Sequence, residues 1–146
     1  NFYWAGDGPF RKKILEELGS CKNFHWLGSL EYPDKVREFL SEIDIYALIT
    51  GMDLAALSLK EAQLMKKPVI ATDVGGNPEM MKDGITGYLV KKGNDEEIIE
   101  KISLLLNDKK LSQNMGDAGR NFIEETYSWE VITKNFIRIL NANIKK

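Results

Sequence analysis

Asp53 and Glu61 stand eight residues apart in TGMDLAALSLKEAQ, Thr50 to Gln63, and the residues between them read as the start of a helix. Two carboxylates at that spacing lie about 12 Å apart if the chain is helical throughout. Each accepts hydrogen bonds from vicinal hydroxyls. The first turn of a helix presents free N–H groups and a positive dipole end to an anion. One extended ligand would fit the set, with a sugar at Asp53, a diphosphate at the helix start and a ribose at Glu61. A plainer reading makes Asp53 the N-cap of a helix entering at Leu54 or Ala55, and Glu61 a solvated surface acid. Helix caps are so common that spacing alone favours this second reading.

Two other loops have residues suited to a site. In AGDGPF, Ala5 to Phe10, Gly6 and Gly8 permit a tight turn and close backbone approach to a ligand. The dinucleotide-binding fingerprint fails there, because Arg11 stands where its third glycine belongs and Pro9 lacks an N–H. On these residues alone an ordinary glycine turn is the favoured reading. In ATDVGGNPE, Gly75 and Gly76 allow backbone bends closed to other residues, which suits either a site rim or a plain strand–helix connection. His25, in NFHWLG, has aromatic neighbours and no acid or nucleophile close in sequence, so it reads as structural. Trp129, after the N-cap candidate Ser128, reads as an anchor of the last helix to the core.

The elements that must position these residues alternate. Strands are expected at Phe2–Ala5, Asn23–Leu27, Asp44–Ile49, Pro68–Thr72 and Gly87–Val90. Helices are expected at Pro9–Leu18, Pro33–Glu42, Leu54–Lys67 and Asn77–Lys82, with Pro9 and Pro33 suited to first-turn positions. DIYALI and PVIAT are nearly continuous apolar runs, as in parallel strands covered on both faces. After Val90 the pattern is purely helical: Asp95–Leu106, Lys109–Glu125 and Trp129–Ala142, the last with an apolar stripe of Trp129, Ile132, Phe136, Ile139 and Leu140. This predicts a doubly wound α/β domain with a parallel sheet and a helical C-terminal tail.

At 146 residues with 43% apolar content the chain is one domain long and has material for a core. A net charge of −2 leaves no basic footprint for nucleic acid. Cys21 is the only cysteine, which excludes an internal disulfide and a cysteine-rich metal site and fits a reducing compartment. No apolar run is long enough to span a bilayer. The chain opens on NFYWAGDGPF without a methionine, and its second residue already reads as strand, so a fragment of a longer protein is expected.

Residues 61 to 90, EAQLMKKPVIATDVGGNPEMMKDGITGYLV, resemble the nucleotide-sugar-binding half of the retaining glycosyltransferases of family 4, which have the GT-B fold. AGDGP, NFHWLG, EIDIYAL and YSWE fall in that family's order, so the resemblance covers nearly the whole chain. It implies that residues 1–146 are the Rossmann-like C-terminal domain that binds a nucleotide-diphosphate sugar, with transfer to an acceptor and retention at the anomeric carbon. It implies no metal and no cofactor beyond the donor, a cytoplasmic protein or one peripheral to the membrane face, and an acceptor (sugar, lipid or protein) held by a separate N-terminal domain.

Residue by residue, the resemblance gives Glu61 to the ribose and Asp53, where the family usually has glutamate, to the donor sugar; these two are the catalytic candidates. Gly6, Gly8 and the backbone of Leu54, Ala55, Ala56, Leu57 and Ser58 are the donor-binding candidates. Leu54 and Ala56 stand where glycine is usual, and their added side chains would obstruct approach to the diphosphate. The departures at Asp53, Leu54 and Ala56 also support an alternative, a non-catalytic nucleotide-binding or regulatory domain. The family's first strand, its basic segment and its acceptor domain have no counterpart here. The 146 residues alone are therefore expected to be inert, since positive charge on the leaving phosphate is a major catalytic term. That first strand would lie between Phe2–Ala5 and Asp44–Ile49, so those two should lack a shared neighbour, or repair the gap. Their unpaired edges should make the isolated fragment unstable or prone to associate.

Overall fold

The apolar run before Asp73 becomes the middle of a three-stranded parallel sheet. In the computed structural model, which describes residues 1–54 and 56–144, β3 (Tyr46–Leu48), β4 (Val69–Thr72) and β5 (Gly87–Val90) lie in the order β3-β4-β5. Tyr46 pairs with Val69, and Val69 with Gly87. All four residues of β4 are buried, as a strand with neighbours on both edges and helices over its faces should be. This sheet belongs to the second of two compact units, Leu40–Lys146; the first is Asn1–Phe39.

The first unit is a strand–helix–strand. β1 (Phe2–Ala5) and β2 (Phe24–Gly28) are parallel and joined through α1 (Arg11–Leu18). The register sets Phe2 beside Phe24, Tyr3 beside His25 and Trp4 beside Trp26. Each pair brings its rings together, at centroid separations of 5.8, 4.9 and 6.1 Å. His25 thus has the structural role expected of it, stacked on Tyr3 and 3.2 Å from Asn1 Oδ1. The prolines sit just outside the helices rather than within their first turns: α1 starts two residues after Pro9, and α2 (Asp34–Glu42) directly after Pro33.

In the second unit α3 (Leu57–Leu64) links β3 to β4. α4 (Asp95–Asn107), α5 (Lys109–Tyr127) and α6 (Trp129–Ile144) follow β5. Ile70, Val90, Leu105 and Met115 form the buried cluster, with Ile45, Tyr88, Ile98, Ile102 and Leu111 around it. α5 lies flush on α3. A Cβ at Gly116 would overlap the Lys66 carbonyl oxygen, and one at Gly119 would press on the Gln63 side chain at 3.2 Å. Asn94 Oδ1 and Asp108 Oδ1 accept from Glu97 N and Leu111 N, capping α4 and α5.

Three expectations are corrected. Asn77–Lys82 is not a helix but a single 3-10 turn, Asn77–Glu79. Thr86 Oγ1 accepts from Lys82 N, a backbone group that a longer helix would use, and Asn77 Nδ2 holds the turn to Thr72 O. Trp129 is not a core anchor, being 83% exposed, and α6 buries no residue. Its apolar stripe faces outward, although Ser128 Oγ does accept from Val131 N at 3.4 Å as the expected cap. The helix expected from Leu54 begins only at Leu57. Among the described residues no ladder joins β1 to β3, which pair instead with β2 and β4.

Candidate functional site

Three loops leave the carboxyl ends of β3, β4 and β5, and hydrogen bonds tie them together. Thr72, the buried last residue of β4, accepts from Thr50 N at 3.0 Å and donates from the same hydroxyl to Thr50 O at 2.7 Å. Lys92, beyond the end of β5, donates from Nζ to Gly51 O at 3.2 Å. Gly76 N donates to Asp53 O at 2.9 Å. Gly75 lies at φ +55°, and a Cβ there would overlap the Asp53 carbonyl oxygen. Only glycine permits both that conformation and that approach.

These bonds explain why Asp53 is not the N-cap of α3. Its carbonyl is held by the β4 loop, and Thr50 Oγ1 donates to Met52 O at 2.9 Å, so the segment turns rather than winds. Ala56, extended at φ −63° and ψ 103°, precedes the helix instead, and no side chain caps it. The first-turn amides of Leu57 and Ser58 have no carbonyl partner within the helix, as at any helix start. Ala56, in one usual glycine position, is buried. Leu54, the other residue in a usual glycine position, is 85% exposed. Ala55 lies outside the described residues.

Glu61 sits one turn into α3, half-buried. The face carrying Leu59, Ala62 and Gln63 is buried, which fixes the helix. Gln63 Nε2 donates to Met80 O at 2.9 Å, tying α3 to the far end of the β4 loop. Tyr46, at the start of β3, brings the acids into one neighbourhood. Its hydroxyl is hydrogen-bonded with the Ser58 side chain and feels the charges of Glu61 and Asp53. Burial pushes the Tyr46 hydroxyl above its ordinary value; the Ser58 bond opposes this, and the two carboxylates add to it.

Ser58, Glu61 and Asp53 all act on the hydroxyl of Tyr46, which sequence reasoning missed, as it missed Thr72 and Lys92. A signal for Tyr46 existed: it carries the one polar side-chain group within the apolar run IYALI. Gly6 and Gly8 belong to the first unit. There Gly6, at φ +129°, donates to Gly28 O at 2.7 Å and accepts from Trp26 Nε1 at 2.9 Å. A Cβ on Gly8 would meet nothing within 4 Å. The turn is locked locally, with Asp7 accepting from Gly8 N and from Arg11.

Among the described residues no three His, Cys, Asp or Glu side chains converge as a metal site. No described helix is long and apolar enough to cross a membrane.

Residues 2–122 match the model of the family described as glycosyl transferases group 1, and the chain belongs to that family. It is 34% identical over 138 residues to the N-acetyl-alpha-D-glucosaminyl L-malate synthase of Bacillus anthracis, covering 90% of this chain and 35% of that protein. It is also 34% identical over 147 residues to the GDP-mannose-dependent monoacylated alpha-(1-6)-phosphatidylinositol monomannoside mannosyltransferase of Corynebacterium glutamicum, covering 94% and 38%. The chain therefore spans a little over a third of the length of these relatives. Among solved structures it resembles an S. aureus TarM variant in complex with fondaparinux, alpha-GlcNAc-glycerol and UDP, at a TM-score of 0.81 and 26% identity over 97% of this chain and 29% of that one. The fold class is the expected one, a Rossmann-like α/β domain like the C-terminal domains of GT-B glycosyltransferases, with a helical C-terminal tail.

Proposed function

We propose that this chain is the donor-binding domain of a retaining, family 4 glycosyltransferase that moves a hexose-type sugar from a nucleoside diphosphate to an acceptor. The observation that carries this reading is the mouth of α3. The first-turn amides of Leu57 and Ser58 stand there with a half-buried carboxylate, Glu61, one turn on and Asp53 just before. In the proposed arrangement Glu61 accepts from the ribose hydroxyls, and the backbone from Ala56 to Ser58 holds the diphosphate. Asp53 meets the sugar. The donor is substrate rather than cofactor, and the reading assigns no metal.

The acceptor domain and the basic groups that would stabilise the leaving diphosphate are assigned to a longer polypeptide, so these 146 residues alone would not turn over. Support comes from the share of its relatives that the chain spans. The relatives act on unlike acceptors, as their names state, which fits an acceptor chosen outside this domain. We place the protein in the cytoplasm, at the membrane face where its acceptor is lipid-borne. One observation favours a second reading, a binding module without turnover: Asp53 is one methylene shorter than glutamate, and the exposed Leu54 fills a usual glycine position.

Calorimetric titration of the full-length protein with UDP, GDP and ADP tests the site. Glu61→Ala should weaken the preferred diphosphate by about 1–3 kcal/mol, the cost of charge-assisted hydrogen bonds, with the circular dichroism unchanged. Equal affinity in the variant would return Glu61 to the surface. Slow hydrolysis of the matching nucleotide sugar separates a transferase from a binding module.

A further inference from the structure

We propose that the β4 loop is a positioning device for Asp53, with Gly75 as its determining residue. The consequence for sugar transfer rests on the donor-site reading above; the restraint itself does not. The segment from Thr50 to Asp53 is fastened along its length from outside. Thr72 Oγ1 engages both Thr50 N and Thr50 O, Lys92 Nζ reaches Gly51 O, and Gly76 N reaches Asp53 O.

The loop that grips Asp53 is itself fixed. Val74 N and Asn77 Nδ2 both donate to Thr72 O at 2.9 Å, and Asn77 is fully buried. The fit at Gly75 leaves no slack. A Cβ there would overlap the Asp53 carbonyl oxygen and lie 2.9 Å from its carbonyl carbon and 3.3 Å from its nitrogen, all backbone atoms that cannot rotate away. Any side chain at position 75 must displace the Asp53 backbone or the loop. Aspartate has a short reach, so the place of its carboxylate follows its backbone closely. Ser58 and Glu61 sit on α3, which is packed through Leu59, Ala62 and Gln63 and meets the β4 loop at Met80, five residues beyond Gly75. Displacing the loop should therefore injure the step that needs the sugar in place and spare the hold on the diphosphate.

The test compares Gly75→Ala with Gly84→Ala in the full-length protein. Gly84 also has a positive φ, +71°, but a Cβ there meets nothing within 4 Å, so it controls for backbone strain alone. Amide exchange across residues 50–56 should rise about tenfold in Gly75→Ala, as local opening becomes easier, and stay at the wild-type rate in Gly84→Ala. The kcat for hydrolysis of the preferred nucleotide sugar should fall about a hundredfold, the scale of a small misplacement of a reacting group. The Kd for UDP or GDP should hold within about twofold, because differential loss in turnover marks an interaction made beyond binding.

Unchanged exchange, or loss of diphosphate affinity in step with kcat, overturns the proposal. Should Gly75→Ala fail to fold, Lys92→Ala removes an exposed restraint at the other end of the segment and must show the same split, in smaller measure; no change in either readout there is equally fatal. A wild-type protein that binds none of UDP, GDP and ADP defeats the donor-site reading, while the exchange data still decide the restraint.

Discussion

Asn1–Phe39 and Leu40–Lys146 both contain a parallel strand–helix–strand, yet they are held together by different means. In the first unit three aromatic pairs run down the β1–β2 register, and no residue is buried. In the second, β4 has a strand on each side and α3, α4 and α5 packed about the sheet, and Val69, Ile70 and Ala71 are wholly inaccessible. The same local pattern therefore yields either a half-wet ladder of rings or a dry core. What decides is the number of neighbours the strand acquires. A two-stranded unit gives each strand a single neighbour and leaves its other edge without one.

The contrast is most exposed to a core deletion. Ile70→Ala should cost about 2–5 kcal/mol in urea unfolding, the range for emptying a packed aliphatic site. Phe2→Ala, at a side chain already 56% exposed, should cost well under half of that. Comparable losses would mean that the aromatic ladder is as much a core as the buried cluster.

Chemistry should divide the same way. Asp53→Asn should lower nucleotide-sugar turnover by about ten- to a hundredfold, the equivalent of a charge-assisted contact, and leave affinity for the plain diphosphate alone. Fold stability should hold too, since Asp53 caps no helix. Asp7→Asn, in the other glycine-marked loop, loses only an exposed ion pair with Arg11 and should change neither. An Asp7 effect on turnover matching that of Asp53 would erase the distinction.

The smallest effect is expected at Tyr46. Tyr46→Phe should cost about 1 kcal/mol at neutral pH through the lost bond with Ser58. Its pH dependence has a definite sign. The hydroxyl titrates above its ordinary value in the fold, so the unfolded chain ionises first. Stability linked to it is complete below the ordinary tyrosine value near 10 and is lost as pH rises through the higher folded value. Urea midpoints measured between neutral and alkaline pH should thus fall less steeply in Tyr46→Phe than in wild type.

Element types and order were legible because periodicity and proline or glycine punctuation act over a few residues. β1 and β5 have the expected bounds, and α4, α5 and α6 start at the expected residues. Failures came where a distant group took a local one's partner. The carbonyl of Asp53 is engaged by Gly76, and Lys82 N by Thr86 Oγ1, so neither expected helix kept the backbone group it needed. Trp129 failed for another reason: an apolar stripe states what a helix can bury, not what is present to bury it. For Asp53 and Glu61, spacing alone favoured a helix cap and a surface acid, and the family resemblance is what singled them out. Tyr46 and Lys92 were missed, because each acts on residues distant in sequence.

The flush seat of α5 on α3 has a mechanical consequence. With glycine at 116 and 119 the two helices touch backbone to backbone and backbone to Gln63, and Lys66 is pinned to Asp117 by a 2.8 Å ion pair. Farther along, Tyr127 clamps the other end of α5 to the carbonyl of Glu79. With such close seats, a shift of α5 would press directly on the helix that carries Glu61: α5 serves the site as a handle serves a blade.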